Sequence, residues 1–227
     1  MYHTSQALMQ KVVRSQSLLQ TISPYQRIEI DMTNQGLGLF LDDEMQFVEQ
    51  YEKIYHHALA GTPFNINPNI QRALILGGGD GLAARTIFEH NPSAKVAVAE
   101  LDPHMINVCK HYSPISQLNK RALERTHNII DDAQNTIRKM PNGSIDMVIC
   151  DFPDVSLGTL SLYSPYLYSE IFRTLRKGGV VSSYPGGNLS GIQDIIKNQF
   201  GNVKIMEGKM DRSTKCYIVQ GVKTCLP

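Results

Sequence analysis

RALILGGGDG, residues 72–81, holds the strand, turn and helix start from which the rest of the fold can be inferred. An apolar strand runs directly into three glycines, an aspartate and a fourth glycine. Backbone without side chains lets a ligand approach closely, and the following helix start offers unpaired N–H groups, where dinucleotide-binding loops hold pyrophosphate. Here Asp80 brings a negative charge to that position, which predicts a loop that repels anions and attracts a cationic ligand.

Downstream of residue 70, short apolar runs alternate with segments of helical periodicity. Strands are predicted at 72–76, 95–101, 126–130, 146–150, 179–183, 203–207 and 216–220, and helices at 82–90, 103–111, 133–139, 165–175 and 190–198. This alternation predicts an α/β fold with a Rossmann-like, doubly wound, seven-stranded sheet of the class I methyltransferase type. The short polar turn before the last strand favours an antiparallel hairpin at the sheet edge.

The first part of the chain has a different pattern. Strands are predicted at 26–32 and 37–41 around a turn at 33–36, and 45–59 has helical spacing. Residues 5–21 fit either a helix or two short strands.

The chain length suits one large domain or one domain with a small appendage. Residues 63–68, PFNINP, are predicted to be a linker. We therefore expect an N-terminal β-strand and hairpin unit with a linking helix at 1–66, and a Rossmann-like nucleoside-binding catalytic domain at 67–227.

Charge and cysteine content exclude several classes of protein. Lys and Arg total 22 and Asp and Glu total 21, without blocks of like charge, which argues against nucleic-acid or membrane-surface binding. The apolar runs are too short to span a bilayer. The scattered cysteines lack a CxxC pair, which argues against a zinc site or a disulfide scaffold and favours a cytoplasmic protein. The four cysteines are Cys109, Cys150, Cys216 and Cys225.

Acidic residues follow each of the next two predicted strands. Glu100, with Asp102 close behind it, ends the second strand roughly 20 residues after the glycine loop, where an acid accepts hydrogen bonds from ribose hydroxyls. Asp132 follows the third strand and fits either an adenine contact or the N-cap of the next helix.

The fourth strand is followed by Asp151-Phe152-Pro153-Asp154. With Asp80, the two aspartates place three carboxylates at one edge of the sheet, without a Lys or Arg in these loops. Such a cluster is costly unless a cation fills it. Mg²⁺ would satisfy the charge, but the neighbouring nucleoside signals favour an organic amine, so we predict no metal.

Seven segments together resemble the spermidine synthase family, the aminopropyltransferases of polyamine biosynthesis. The resemblance rests on their order and spacing over most of the chain. They are SPYQ (23–26), LDDEMQ (41–46), YHH (55–57), GGGDG (77–81), AELD (99–102), IDDA (130–133) and DFPD (151–154).

The resemblance implies a role for each matching position in nucleoside binding. Gln26 and Glu100 would hold the thioadenosine part of the cosubstrate, and Asp132 and Ala133 would surround its adenine. The glycines of the loop that would approach it are Gly77, Gly79 and Gly81.

The resemblance also implies an amine site. His56, Asp80 and Asp154 would line the path of the amine, Tyr55 would orient the attacking nitrogen, and Asp151 would accept its proton. The family's cosubstrate is decarboxylated S-adenosylmethionine, so no tightly bound cofactor is expected; S-adenosylmethionine is the alternative. The implied partners are a small-molecule polyamine and further copies of the chain, as a homodimer or homotetramer.

The chain departs from the family pattern at four places. His57 replaces an acidic residue, which removes one anion from the amine side. The segment DVSLGT (154–159) lacks two prolines, which predicts a more flexible lid. Tyr184 stands where the family has glutamine. The region between the last two strands lacks the family's tyrosine- and proline-rich segment, which predicts a more open site.

Two other functions fit the same fold. A small-molecule N-methyltransferase, or an enzyme of other sulfonium chemistry, would bind the same nucleoside. However, Ile75 occupies a position that is usually acidic in methyltransferases, and Asp80 would crowd the carboxylate of S-adenosylmethionine. A non-catalytic nucleoside- or polyamine-binding protein is the third possible function.

Three tyrosines around the start of a predicted helix are interpreted as packing residues. They are Tyr163, Tyr166 and Tyr168.

Overall fold

The computed structural model describes residues 12–154, 159–209 and 215–224. The chain forms two compact units, Met1–Tyr55 with Gly208–Cys216 and His56–Glu207 with Tyr217–Pro227. The domain boundary at residue 66 remains a prediction from the sequence. In the described ranges, no helix combines the length and the apolar character needed to cross a membrane.

The N-terminal unit contains a four-stranded sheet in which each strand is antiparallel to the next. Its strands are β1 (Arg14–Ile22), β2 (Arg27–Thr33), β3 (Gly36–Leu41) and β4 (Glu44–Val48). The turn predicted at 33–36 is confirmed, because Thr33 pairs with Gly36 and its hydroxyl donates to the Gly36 carbonyl at 2.8 Å. Of the ambiguous segment 5–21, residues from Arg14 form a strand, and residues 5–11 lie outside the described part.

The helix predicted at 45–59 is wrong for its first turn, because residues 45–48 belong to strand β4. Helix α1 (Glu49–His56) begins after it and continues into a π-helical turn, His57–Gly61. The cause is a hairpin loop at Asp42 and Asp43, which have left-handed φ values of 50° and 68°. Such a two-residue loop turns the chain back onto β3. Glycine is the residue that usually marks a left-handed turn position in a sequence, but aspartate also tolerates this conformation.

The larger unit is built on a seven-stranded sheet. Its strands are β5 (Arg72–Gly77), β6 (Lys95–Glu100), β7 (His127–Ile130), β8 (Ile145–Asp151), β9 (Leu175–Ser183), β10 (Lys204–Lys209) and β11 (Lys215–Val222). Their order is β10-β11-β9-β8-β5-β6-β7. The five strands from β9 to β7 are parallel, and β11 is antiparallel to β9. The predicted doubly wound sheet is confirmed.

Helices connect these strands within the described ranges. They are α2 (Pro63–Ile66), α3 (Leu82–His90), α4 (Pro103–His111), α5 (Ser113–Leu118), α6 (Ala122–Arg125), α7 (Ala133–Lys139), α8 (Pro165–Thr174) and α9 (Leu189–Phe200), with a 3₁₀ turn at Leu160–Tyr163. The segment predicted to be a linker contains α2, and its first residue, Pro63, is buried.

Burial on both faces explains why the central strands read as continuous apolar runs. Leu74, Ile75 and Leu76 of β5 are fully buried, as are Val148 and Ile149 of β8. Each such side chain contributes about 1.5–3 kcal/mol relative to an exposed one. The rigid centre of the sheet therefore fixes the positions of the loops that follow β5 and β8.

Candidate active site

The glycine loop lies where the strand order reverses. The chain passes from β5 to β6 and β7 and returns with β8 on the other side of β5, which is where ligands of open α/β sheets bind. Gly77 pairs with Asp151, and a Cβ atom at Gly77 would lie 2.2 Å from the Asp151 carbonyl oxygen. A Cβ atom at Gly79 would lie 2.8 Å from Glu100 Oε2. The glycines thus let two acidic strand ends approach the loop.

Asp80 is buried and fixed on both its side chain and its backbone. Its Oδ1 accepts a hydrogen bond from the backbone N–H of Leu82 at 2.8 Å, at the start of α3. Its carbonyl oxygen accepts from Asn119 Nδ2, also at 2.8 Å. The negative charge predicted from the sequence is therefore held in one place inside the loop.

Asp80 converges with two other predicted site residues, His56 and Asp151. One nitrogen or oxygen atom from each of the three side chains lies within 4.8 Å of the others. His56 is buried at the end of α1, and Asp151 is half-buried at the end of β8. Two carboxylates this close repel each other unless a cation lies between or beside them. An ammonium group meets this requirement, and the donor types would also suit a divalent metal.

Glu100 ends β6 next to the glycine loop. Burial raises the pKa of its carboxyl from 4.5 to about 7, the nearby negative charge of Asp102 adds to this rise, and hydrogen bonds from the backbone of Asp102, Leu101 and Gly79 oppose it. The Asp102 N–H donates to Glu100 Oε1 at 3.0 Å. Asp102 itself caps α4, because its Oδ1 accepts from the N–H of His104 at 2.9 Å.

Asp132 acts as the N-cap of α7. Its Oδ1 accepts hydrogen bonds from the N–H groups of Gln134 at 2.8 Å and Asn135 at 3.1 Å. Ala133, next to it, is buried. Capping was one of the two readings of Asp132, and the adenine contact of Asp132 and Ala133 remains a prediction.

Asp154 lies in the loop after β8 and is bound by a tyrosine from the neighbouring strand end. The hydroxyl of Tyr184 donates to Asp154 Oδ1 at 2.7 Å. The hydroxyl of Tyr163 donates to the carbonyl of Pro153 in the same loop. The sequence predicts only a packing role for Tyr163 and marks Tyr184 only as a departure from the family pattern.

Two further predicted site residues, Gln26 and Tyr55, belong to the N-terminal unit. Gln26 precedes β2 in a tight turn, where its N–H donates to Ser23 Oγ at 3.0 Å. Tyr55 is half-buried on α1 and lines a groove of its unit with Phe47 and Tyr51. Their roles in binding and catalysis remain predictions from the sequence.

Comparisons with known proteins give the family of this chain. A family model described as "Spermine/spermidine synthase domain" matches residues 52–207. The chain belongs to the spermine/spermidine synthase family. It is 36% identical to polyamine aminopropyltransferase 2 of Bacillus cereus over 166 residues, which are 72% of this chain and 45% of the relative. It is 35% identical to the polyamine aminopropyltransferase of Thermoplasma volcanium over 175 residues, 76% of this chain and 63% of the relative.

The fold matches those of spermidine synthases. A crystal structure of spermidine synthase in complex with the transition-state analogue AdoDATO has a TM-score of 0.81 and 24% identity, covering 94% of this chain and 76% of that one. The spermidine synthase of Thermotoga maritima has a TM-score of 0.78. The resemblance and the fold class inferred from the sequence are confirmed. The chain spans less than two thirds of the length of the sequence relatives named above.

His57, one of the departures from the spermine/spermidine synthase pattern, lies in a group of rings. Its imidazole stacks on His90 at 5.9 Å between centroids, and His90 stacks on Phe64 at 4.9 Å. Burial lowers the pKa of His90, and the charge of His57 lowers it further. His57 therefore packs against the imidazole ring of His90.

The raised pKa of Glu100 predicts a pH-dependent gain in stability on replacing it with glutamine. Well below pH 4.5 the carboxyl is protonated in both folded and unfolded chains, and well above pH 7 it is ionised in both. Between these values the folded chain binds the proton more tightly, so stability from this group is lost as pH rises. The full rise in the pKa corresponds to a loss of about 3 kcal/mol in the free energy of unfolding. Because Glu100 is partly exposed, we expect a loss of about 1–2 kcal/mol.

We therefore expect Glu100→Gln to be more stable than the unmodified protein at pH 8, and the difference to vanish at about pH 3, where the carboxyl is protonated in both states. Denaturant unfolding of both proteins across this range measures the difference. Glu124→Gln is the control, because Glu124 is exposed. A stability difference for Glu100→Gln that does not change with pH would contradict the prediction.

Proposed function

We propose that this protein transfers the aminopropyl group of decarboxylated S-adenosylmethionine to a polyamine acceptor such as putrescine and releases methylthioadenosine. The observation that carries the proposal is the convergence of His56, Asp80 and Asp151 within 4.8 Å beside the glycine loop. A site with two carboxylates at this distance favours a positively charged guest over an anionic one.

The residues around the loop support binding of the thioadenosine part. Glycines at Gly77 and Gly79 keep the loop free of side chains, and Cβ atoms there would collide with Asp151 and Glu100. When ionised, Glu100 can accept hydrogen bonds from ribose hydroxyls. Asp132 and Ala133 would border the adenine, and the resemblance gives Gln26 a contact with the nucleoside.

The charges determine the chemistry of transfer. The sulfonium is a leaving group that departs as a neutral thioether, so the protein need not stabilise a negative leaving group. A primary amine attacks the propyl carbon next to sulfur, the carbon–sulfur bond breaks toward sulfur, and the amine loses a proton. Asp151 would accept that proton, Tyr55 would orient the nitrogen, and His56, Asp80 and Asp154 would hold the ammonium groups.

The test is to incubate the purified protein with putrescine and each sulfonium separately, and to follow the products by mass spectrometry. We expect methylthioadenosine and spermidine from decarboxylated S-adenosylmethionine, with the rate unchanged by EDTA. Formation of S-adenosylhomocysteine would instead identify a methyltransferase. Binding of the nucleoside and the amine without any product would identify a non-catalytic binding protein.

Asp80→Asn tests whether the charge in the loop selects the decarboxylated sulfonium. Asparagine keeps an oxygen that can accept from Leu82 N–H, so the helix start is preserved while the charge is lost. The preference for the decarboxylated sulfonium is the ratio of the dissociation constant of S-adenosylmethionine to that of the decarboxylated compound. We expect this ratio to fall about tenfold. Calorimetric titration of each sulfonium measures it, and an unchanged ratio would remove Asp80 from this discrimination.

We also propose a cytoplasmic location and a homodimer or homotetramer. Cys109, Cys150 and Cys216 are buried free thiols, which suits a reducing compartment. The assembly state rests on the resemblance to spermidine synthases, and light scattering of the purified protein tests it.

A further inference from the structure

We propose that Tyr184 is a positioning residue that holds the Asp154 carboxylate in the orientation required to bind an ammonium group of the acceptor amine. This inference rests on the proposed function, in which Asp154 lines the path of the amine. It assigns a role to a residue that departs from the family pattern.

The position of Tyr184 is fixed by the sheet. Strand β9 runs parallel to β8, with Ser183 beside Cys150, and the Tyr184 N–H continues this pairing by donating to the Cys150 carbonyl at 3.0 Å. The preceding residue, Ser183, is buried, and its hydroxyl lies 2.6 Å from the hydroxyl of Tyr168. The backbone of Tyr184 is therefore anchored to the buried core, level with the end of β8.

The side chain of Tyr184 reaches across to the loop after β8. Its hydroxyl donates to Asp154 Oδ1 at 2.7 Å, as expected for a hydrogen bond to a carboxylate. The phenol is neutral, so it adds no positive charge that would compete with an ammonium group for Asp154. The hydrogen bond occupies one carboxylate oxygen and sets the direction in which the other points.

The backbone carbonyls of Pro153 and Asp154 each accept a further hydrogen bond. Tyr163 donates to the carbonyl of Pro153, and Thr159 Oγ1 donates to the carbonyl of Asp154 at 2.9 Å. In addition to these backbone contacts, the hydrogen bond from the Tyr184 phenol restricts rotation of the Asp154 side chain. An acidic group that is already oriented costs less conformational entropy when a ligand binds.

The variant that isolates this contact is Tyr184→Phe, which keeps the ring and removes the hydroxyl. We expect the dissociation constant and KM for putrescine to rise about three- to tenfold, with kcat and the KM for the sulfonium changed less than about twofold. Calorimetric titration of putrescine in the presence of methylthioadenosine measures binding without turnover. Tyr166→Phe is the matched control, because Tyr166 is an exposed tyrosine at the start of α8, and it should change none of these values.

A double-mutant cycle with Asp154→Ala tests whether Tyr184 acts through Asp154. Once the carboxylate is gone, adding Tyr184→Phe should have no further effect on amine affinity. An equal effect with and without Asp154, an unchanged or improved putrescine affinity in Tyr184→Phe, or a loss confined to kcat would each overturn the inference.

The binding and turnover measurements separate this inference from the proposed function. If the unmodified protein binds putrescine, Tyr184→Phe binds it more weakly and neither releases methylthioadenosine, the positioning role stands and the proposed function fails. If the unmodified protein releases methylthioadenosine and Tyr184→Phe has an unchanged amine affinity, the proposed function stands and the positioning role fails. An unmodified protein that does not bind any di- or triamine overturns both.

Discussion

Asp151→Asn is expected to reduce turnover by about 10²- to 10⁴-fold, the range for loss of a general base, while the affinity for methylthioadenosine changes less than about threefold. Asp151 is the last residue of β8 and pairs with Gly77 of β5. Its Oδ2 lies 3.2 Å from the position a Cβ atom would take at Gly78. The carboxylate is thus directed at the glycine loop from a rigid strand end.

The size of the expected effect follows from the protonation state of the amine. An alkylammonium with a pKa near 10 is neutral in only about one molecule in a thousand at pH 7, which is equivalent to roughly 4 kcal/mol. The carboxylates that gather the ammonium also favour its charged form, so binding and deprotonation oppose each other. A proton acceptor within the site removes that opposition by taking the proton as the new bond forms. Asparagine keeps the shape of Asp151 but cannot accept the proton.

The measurement is the rate of methylthioadenosine release at saturating sulfonium and putrescine, with methylthioadenosine affinity from calorimetry. Asp194→Asn makes the same chemical change at an exposed position on α9 and should leave turnover unchanged. A loss of nucleoside affinity as large as the loss of turnover would indicate a structural role for Asp151. Unchanged turnover would remove Asp151 from the mechanism.

The elements that position this site could be predicted from the sequence because their signals are local. Helices α3, α4 and α7 have the predicted bounds, and two of them begin at capping aspartates, Asp102 and Asp132. The buried strands read as apolar runs bounded by polar residues. Because parallel strands end at one sheet edge, the acids after β5 and β8 could be expected to meet there.

Features that depend on distant parts of the chain could not be predicted. The Tyr184–Asp154 hydrogen bond joins residues from loops after two different strands. The pKa of Glu100 depends on how deeply the folded chain buries it. Strand β4 was missed because its turn uses Asp42 and Asp43 in left-handed conformations that the sequence does not mark with glycine.

Gly77→Ala is expected to destabilise the protein by about 3–4 kcal/mol, because two costs add. The φ of Gly77 is +80°, a left-handed conformation that costs about 1–2 kcal/mol for other residues. A Cβ atom would also lie 2.2 Å from the Asp151 carbonyl oxygen. This oxygen belongs to the backbone of a central strand, so relieving the contact requires β5 and β8 to separate, which costs a further ~2 kcal/mol.

Gly143→Ala separates the two costs. Gly143 has a φ of +61°, and a Cβ atom there would have nothing within 4 Å, so only the backbone cost of about 1–2 kcal/mol is expected. Urea unfolding of both variants and the unmodified protein measures the difference. If the two variants lose the same free energy of unfolding, then glycine is required at position 77 by the backbone conformation and not by the close approach of Asp151. If Gly77→Ala instead loses more free energy of unfolding than Gly143→Ala, and turnover also falls in the protein that remains folded, both costs apply. Gly77 would then set the distance between the nucleoside loop and the proton acceptor.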